Sequence, residues 1–235
     1  MAAKDASVLP SPEEKTKVVR SMFDAIAPRY ELVNRLMTFG LDARWRRRTV
    51  RSLALPSGSV ILDLACGTGD LSRTAAAAGL VPIGADLSFG MLASSHGTGP
   101  LIQADATKLP LLNGSVDGLL CGYALRNFTD LAAALNEMGR VTRPGGRLAI
   151  LEVAQPRNRV MRFGFSLWFD RAVPIIGGLL SDRNAYRYLP ASTVYLPEPT
   201  QLRQLLIDAG FSGVNHRFLS GGLSQMVTAT RSTAP

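Results

Sequence analysis

The sequence predicts an α/β fold: a mainly parallel, seven-stranded sheet with helices on both faces, N-terminal helices ahead of it and a helical insertion late in the chain. Three observations carry this. The stretch Val60-Ile61-Leu62-Asp63-Leu64-Ala65-Cys66-Gly67-Thr68-Gly69-Asp70-Leu71 passes from branched apolar residues through a glycine-rich turn into Leu71, Ala75 and Ala76 at helical spacing, the pattern of strand, tight loop and helix. Further apolar runs follow at Val81–Asp86, Leu101–Asp105, Val116–Cys121 and Leu148–Val153, most of them separated by helical segments, as in right-handed βαβ units. Two β segments, about Val214–Leu219 and Gln225–Thr230, complete the seven.

Taken in order, residues 1–12, with Pro10 and Pro12, have little to bury and read as a flexible tail. Residues 13–235 then form a single domain, its segment 13–56 a helical cap. Val18, Val19, Met22, Phe23 and Ile26 recur at helical spacing up to Pro28, and Leu32, Leu36, Met37, Phe39 and Trp45 run on either side of Gly40, so two helices are expected ahead of the sheet. Leu131, Leu135, Met138 and Val141 share one helix face before Arg143-Pro144-Gly145-Gly146 turns into the fifth strand. Between 154 and 197 the rhythm breaks. A segment carrying Met161, Phe163, Phe165, Leu167, Trp168, Phe169 and Ile175 to Leu180 is too apolar for a free loop, so a helical lid over the mouth of the site is expected, the alternative being an insertion that only enlarges the core.

Composition narrows the setting. A formal charge of +8 and a pI near 10.1 favour anionic surfaces. Arg44, Arg46, Arg47, Arg48 and Arg51 surround Trp45 and read either as a solvated helix or as an anion-binding patch. Cys66 and Cys121 form neither a CxxC pair nor a metal-ligand cluster, so no metal is expected and a reduced cytoplasm fits. Met1-Ala2-Ala3-Lys4-Asp5 begins no apolar signal region and no uncharged apolar run approaches membrane-spanning length, so the expectation is a cytoplasmic protein that meets the inner face of the membrane, if at all, from outside.

The glycine loop raises the question of its ligand. Small residues at 65, 67 and 69 follow the carboxylate of Asp63, a poor neighbour for phosphate and a good one for a cationic amino-acid end. This resembles the first motif of class I S-adenosylmethionine-dependent methyltransferases, with Ala65 at the first glycine position and Gly67 and Gly69 letting the backbone come close to a ligand. Asp86, 23 positions after Asp63, ends the second strand and suits a carboxylate that accepts both ribose hydroxyls; Leu87 follows it. Asp105 with Ala106 resembles the family's adenine-contacting pair, and Gly122 follows the fourth strand. Each acid alone could be a helix N-cap, but in this order beside the loop they make a cofactor site. No clamp of the kind used on nucleobase amino groups follows the fourth strand, which argues against a specific nucleic-acid substrate.

A narrower resemblance rests on Phe23-Asp24-x-Ile26-Ala27-x-x-Tyr30-Glu31-Leu32-x-Asn34, Phe39-Gly40 and Trp45, Ala124-Leu125-Arg126-Asn127, Arg140-Val141-x-Arg143-Pro144-Gly145-Gly146-Arg147-Leu148 with Leu151-Glu152, and Tyr186-Arg187-Tyr188-Leu189-Pro190-x-Ser192. Together these resemble the demethylmenaquinone/ubiquinone C-methyltransferase family (UbiE/MenG type). The resemblance implies a Rossmann-like methyltransferase that transfers a methyl group from S-adenosyl-L-methionine to a ring carbon of a prenylated quinol; the alternatives are another hydrophobic phenol or lipid as acceptor, or a non-catalytic binding protein. It implies cofactor contacts at Thr68, Asp86, Asp105 and Ala106, and a role for Arg126 on the developing phenolate, with Asn127 beside it at the acceptor. Tyr30 is a candidate lid over the methionine end, and Tyr123 a ring-stacking or hydrogen-bonding partner. Peripheral membrane contact is the partner expected beyond the quinol, and a homodimer is left open.

Overall fold

The computed structural model describes residues 9–11, 14–154, 156, 158–168, 171, 173, 175 and 183–233. Most of the expected tail 1–12, and Phe169 and 176–180 of the expected lid, lie outside the described residues. The chain opens with α1 (Lys15–Ile26), a 3₁₀ turn (Ala27–Arg29), α2 (Tyr30–Met37) and α3 (Leu41–Ser52). Three helices stand where two were expected, because Phe39 and Gly40 take positive φ of 52° and 71° and end the second apolar run. Gly40 then caps α3, and a glycine adopts that backbone without the Cβ clash other residues meet.

The sheet comprises β1 (Val60–Leu64), β2 (Val81–Asp86), β3 (Leu101–Gln103), β4 (Val116–Gly122), β5 (Thr142–Val153), β6 (Phe211–Leu219) and β7 (Ser224–Arg231), in the order β3-β2-β1-β4-β5-β7-β6. Its parallel part runs from β3 to β5, and β7 pairs antiparallel with both β5 and β6. The third strand stops two residues short of Asp105, which leaves that acid on the loop at the sheet's carboxyl edge. The fifth starts six residues earlier than expected: its partner changes from Val116↔Thr142 to Gly118↔Arg147, so Arg143–Gly146 bulges out of the pairing instead of preceding the strand.

Helices cover both faces: α4 (Asp70–Ala76), α5 (Phe89–Ala93), α6 (Leu131–Val141), α7 (Arg159–Leu167), α8 (Arg183–Ala191) and α9 (Pro199–Asp208). The period-2 alternation of the strands divides the core between them. Leu62, Leu64, Leu119, Cys121, Leu148 and Ile150 face α6 and α9, whereas Ile61, Leu120 and Ala149 face α3 and α4. A separate cluster of Ile26, Val33, Met91, Tyr186 and Leu189 joins the N-terminal helices to α5 and α8 above the carboxyl edge. The order reverses between β1 and β4, so the loops that follow them open a crevice there, the position at which open α/β sheets bind ligands.

The packing of α6 onto the end of α9 depends on Gly139, where an added Cβ would stand 2.2 Å from the Ala209 carbonyl oxygen. Gly139→Ala is expected to destabilise the fold by about 1–3 kcal/mol, the range for overpacking a rigid contact, because a backbone oxygen cannot rotate away. Urea unfolding measures this, with a lowered midpoint at unchanged slope as the expected result.

Candidate functional site

Two cavities, each of about 320 Å³, open at the crevice and share the side chains of Tyr30 and Tyr123 as wall. The first is built from strand ends. Ala65 and Gly67 hold positive φ of 55° and 56° in the loop after β1, and Asp86 Oδ2 accepts the Gly67 N–H at 2.8 Å while its Oδ1 accepts that of Ser88 at 2.8 Å. The carboxylate thus fixes the loop and still lines the cavity; burial pushes its pKa up. Leu87, Ala106, Gly122 and Asn127 also line it, as does Asp105, whose Oδ1 accepts from Thr107 N and Oγ1, both at 2.8 Å. Asp24 on α1 accepts from Ser88 Oγ at 2.6 Å and Gly90 N at 2.8 Å, and so docks α1 over the opening through Thr16, Val19 and Phe23.

The donor set bears on the ligand. Among the described residues lining this cavity, Asp86, Asp105 and Asp130 face a single cation, Arg20. A polyphosphate would meet mostly negative charge there, whereas a hydroxylated ligand with a cationic end meets acceptors at two successive strand ends. The residues present therefore fit S-adenosyl-L-methionine better than a dinucleotide.

Three expected contacts lie elsewhere. Asp63, Thr68 and Gly69 line neither cavity. Asp63 is fully buried in β1, where Oδ2 accepts from Ser72 Oγ of α4 at 2.6 Å and Oδ1 has no partner among the described residues. Gly69 is required by the protein itself: with φ 87°, its added Cβ would lie 2.7 Å from Gly97 Cα. Thr68 offers its carbonyl to Arg73 Nη1 at 3.1 Å and to His96 N at 3.1 Å. All three shape the loop from behind.

The second cavity is mostly apolar, with Met37, Phe39, Leu41, Trp45, Val153, Met161, Trp168, Leu189 and Leu223 around Tyr30, Asn34, Tyr123, Arg46 and Arg126. The described part of the 154–197 segment supplies Met161, Gly164, Trp168 and Leu189 as wall. Arg126, 4% exposed, sits on the 3₁₀ turn Leu125–Asn127; Nη1 pairs with Glu152 Oε1 and donates to the Tyr123 carbonyl at 2.9 Å, and Nε donates to Ser192 Oγ at 3.1 Å. Its Nη2 donates to no acceptor among the described residues. The two sequence neighbours part company here, since Asn127 faces the first cavity and accepts from Tyr188 Oη at 3.3 Å.

Both shared tyrosines are polarised. Burial pushes the Tyr30 phenol up, and the neighbouring Asn34 side chain and the charges of Arg126 and Arg46 pull it back. Burial likewise pushes Tyr123 up; Ser224 Oγ, turned to the Glu152 carbonyl at 2.8 Å, faces its hydroxyl without closing a hydrogen bond. Tyr123 holds φ 57°, a strained value for a bulky residue, pinned by its N–H on the Leu151 carbonyl at 2.7 Å.

The arginines of α3 divide. Arg46 turns inward to Asp42 and Asp70 and leaves the basic patch. Arg44, Arg47, Arg48 and Arg51 are exposed and, at 3.6 residues per turn, fall within an arc of about 100° on one face rather than spreading over several. Sequence reasoning assigned no role to Asp42 or Glu152 and counted Arg46 among the arginines of the patch. Two signals were readable: the i,i+4 spacing of Asp42 and Arg46, and a carboxylate ending the apolar run Leu148–Leu151.

Known proteins resemble this chain in sequence and in fold. Residues 11–231 match the model of the ubiE/COQ5 methyltransferase family. The ubiquinone/menaquinone biosynthesis C-methyltransferase UbiE of Syntrophotalea carbinolica is 40% identical over 91% of this chain and 94% of that protein. The demethylmenaquinone methyltransferase of a Roseiflexus species is 38% identical over 96% and 98%. Among solved structures, the [4+2]-cyclase SpnF superposes with a TM-score of 0.67 at 16% identity, covering 96% of this chain and 98% of that one. Phosphoethanolamine N-methyltransferase 2 of Haemonchus contortus, in complex with S-adenosyl-L-methionine, gives 0.56 at 14% identity, covering 79% and 52%. At these identities the two structures share the fold alone.

The lone Asp63 carboxyl generates a prediction. Burial raises its pKa to about 7, against Ser72 hydrogen bonding that lowers it, from an ordinary 3.8. Between about pH 4 and 7 the unfolded chain has released this proton and the folded chain has kept it, so stability falls as pH rises through that window and levels off above it. At about 1.4 kcal/mol per pKa unit the loss is several kcal/mol. Chemical denaturation of parent and Asp63→Asn from pH 4 to 8 is expected to show a falling difference in the parent's disfavour, absent only if Asp63 ionises at its ordinary pKa.

Proposed function

The chain belongs to the ubiE/COQ5 methyltransferase family, and from that premise we propose that it methylates a ring carbon of a reduced, prenylated quinol held in the second cavity. It is an S-adenosyl-L-methionine-dependent methyltransferase, and the cofactor, when bound, supplies a methyl group on a cationic sulfur. The observation that supports the acceptor class is the pair of cavities with a common wall of Tyr30 and Tyr123: one carrying the strand-end acids Asp86 and Asp105, the other more apolar with the buried Arg126 and the half-buried Arg46.

In this reading Asp86 and Asp105 orient the cofactor through its hydroxyls and base amino group, with Leu87, Ala106, Ala65 and Gly67 as apolar and backbone contacts. Asp63 stands behind the loop and holds it through Ser72. Tyr30 and Tyr123 exclude water from the junction and set the ring against it at reacting distance, about 3 Å. A ring carbon becomes nucleophilic when the hydroxyl beside it gives its proton to a water polarised by Arg126 on the far side of the ring from the junction. The hydrogen on that carbon leaves as a proton to solvent once the new C–C bond has formed. Arg126 directs its free Nη2 donors at that oxygen and stabilises the phenolate by an oriented hydrogen bond, since Glu152 already balances its charge. The apolar tail runs along Phe39, Met161 and Trp168 toward the mouth, and the 154–197 segment serves as the lid.

The mouth also suggests how an embedded tail is reached. Leu32, Leu36, Phe39, Phe163 and Leu167 are exposed apolar residues on α2, α7 and the α2–α3 turn, and the four outward arginines of α3 lie next in sequence. We place this face against an anionic membrane as a peripheral contact. No helix among the described residues is long and apolar enough to cross a membrane.

Two experiments test the reading. Arg126→Ala is expected to lower single-turnover methyl transfer to a demethylated quinol by roughly 10²–10³-fold and, by leaving Glu152 unpaired, to loosen the wall shared with the cofactor cavity. Arg126→Lys keeps a cation beside Glu152, and is expected to hold cofactor affinity near the parental value and to recover only part of the rate, having lost the planar fork. Transfer by Arg126→Ala at the parental rate would remove this residue from the chemistry. For the membrane face, Arg44→Glu with Arg48→Glu is expected to abolish sedimentation with acidic vesicles, and salt to mimic the loss over a Debye length of about 8–10 Å. Equal sedimentation of variant and parent would assign the arginines elsewhere.

A further inference from the structure

The second cavity holds a cation that the reaction as described leaves unused. Arg46 sits on α3 with its side chain 12% exposed, and its Nη1 is shared between Asp42 Oδ2 at 2.8 Å and Asp70 Oδ2 at 2.7 Å. Asp42, itself 4% exposed, is held by Thr38 Oγ1 at 2.9 Å. The guanidinium is therefore anchored on one edge. Its Nε and Nη2 donate to no acceptor among the described residues, yet the residue lines the cavity. A guanidinium carries five N–H donors in a rigid fork, and a buried one with an open edge is built to receive an oxygen.

The cavity consequently has two polar poles, Arg126 and Arg46, in a wall that is otherwise mostly apolar. Both line this one cavity together with Tyr30 and Tyr123, with Asp42 beside Arg46, so the two poles face a common space of about 320 Å³ instead of separate regions. A ring with one oxygen satisfies one pole and strands the other's donors. A ring with oxygens at opposite positions satisfies both.

We propose that Arg46, fixed by Asp42 and Asp70, is a specificity-determining residue that receives the ring oxygen remote from the methylated carbon and so selects para-diols over monophenols. This rests on the proposed acceptor class, and deepens it. A site built to hydrogen-bond an oxygen discriminates strongly against the analogue that lacks it, because its own buried donors are then left unpaired.

The test pairs two soluble, short-tailed acceptors: a 1,4-quinol, and the matching monophenol that keeps only the hydroxyl beside the acceptor carbon. The chain's two tryptophans, Trp45 and Trp168, both line the cavity, so quenching of their fluorescence reads acceptor binding apart from turnover. The parent is expected to bind and methylate the diol at least about 10-fold better. Arg46→Lys and Asp42→Asn are expected to raise Kd and KM for the diol by about 10-fold or more, with kcat less affected, and to weaken the monophenol by a clearly smaller factor, so that the preference narrows. A purely structural role would weaken both acceptors alike, and that result overturns the proposal. Equal handling of the two acceptors by the parent overturns it without any variant. A parent that binds cofactor and methylates neither overturns the acceptor class first, and this inference with it.

Discussion

The ion pair of Arg126 with Glu152 is the constraint on which the site depends. Both side chains are almost fully buried, and removing two charges from water costs several kcal/mol per ion before any attraction is counted. The structure offsets this with directed bonds. Glu152 accepts from Leu125 N at 3.1 Å and Val153 N at 2.9 Å, while Arg126 reaches Ser192 and the Tyr123 carbonyl. One pair therefore ties the loop after β4 to the end of β5 and to the 3₁₀ turn after α8. Burial raises the Glu152 pKa against the pull of Arg126, which is the expected balance for a carboxylate that stays charged only because its partner is present. The strained backbone of Tyr123 lies inside this network, and with it the wall common to both cavities.

From that pair the molecule separates into two tasks. The sheet alone supplies most of the first cavity, because strand ends at the reversal of order place Ala65, Gly67, Asp86 and Asp105 side by side. The second cavity needs chain that the sheet does not contain: α2, α3, α7 and α8 wall it, with α2 and α8 packed in a cluster apart from the sheet's core and Trp45 of α3 packed on Leu151, Leu219 and Met226 of the sheet. A sheet of this kind can accept many acceptor pockets by changing those helices while its cofactor edge stays as it is.

What the sequence disclosed follows the same division. Strands announce themselves by period and length, and their terminal acids fall at the carboxyl edge, so the sheet and the placement of Asp86 and Asp105 at that edge were legible from spacing, whereas the roles expected of Asp105 and Ala106 came from the resemblance. Side-chain direction was not. Asp63 precedes the loop as a ligand-binding carboxylate would, but its partner is Ser72, a choice made by the packing of α4 against β1. Arg126 and Asn127 are adjacent in sequence and face different cavities, because a 3₁₀ turn rotates successive residues by about 120°. Arg46 was grouped with four other arginines although Asp42, four residues before it, marked it out, and the approach of Asp70 from another helix completes the difference.

That approach ties the second cavity to the back of the glycine loop through a chain of ion pairs. Asp42 and Asp70 hold Arg46, Asp70 also pairs with Arg73, and Arg73 reaches Glu31 at 2.9 Å and the Thr68 carbonyl of the glycine loop. Every arginine facing the acceptor is thus matched by a carboxylate. On the proposed reaction a cationic sulfur and an anionic phenolate become neutral products, so a site of large net positive charge would hold the phenolate too well and repel the cofactor. Matched pairs avoid this. They present oriented N–H donors without surplus charge, and the surrounding apolar wall leaves the attraction between the two reacting charges poorly screened. The same carboxylates that anchor the arginines thereby keep the acceptor cavity close to electrically neutral, which is what a reaction that annihilates charge requires of its walls.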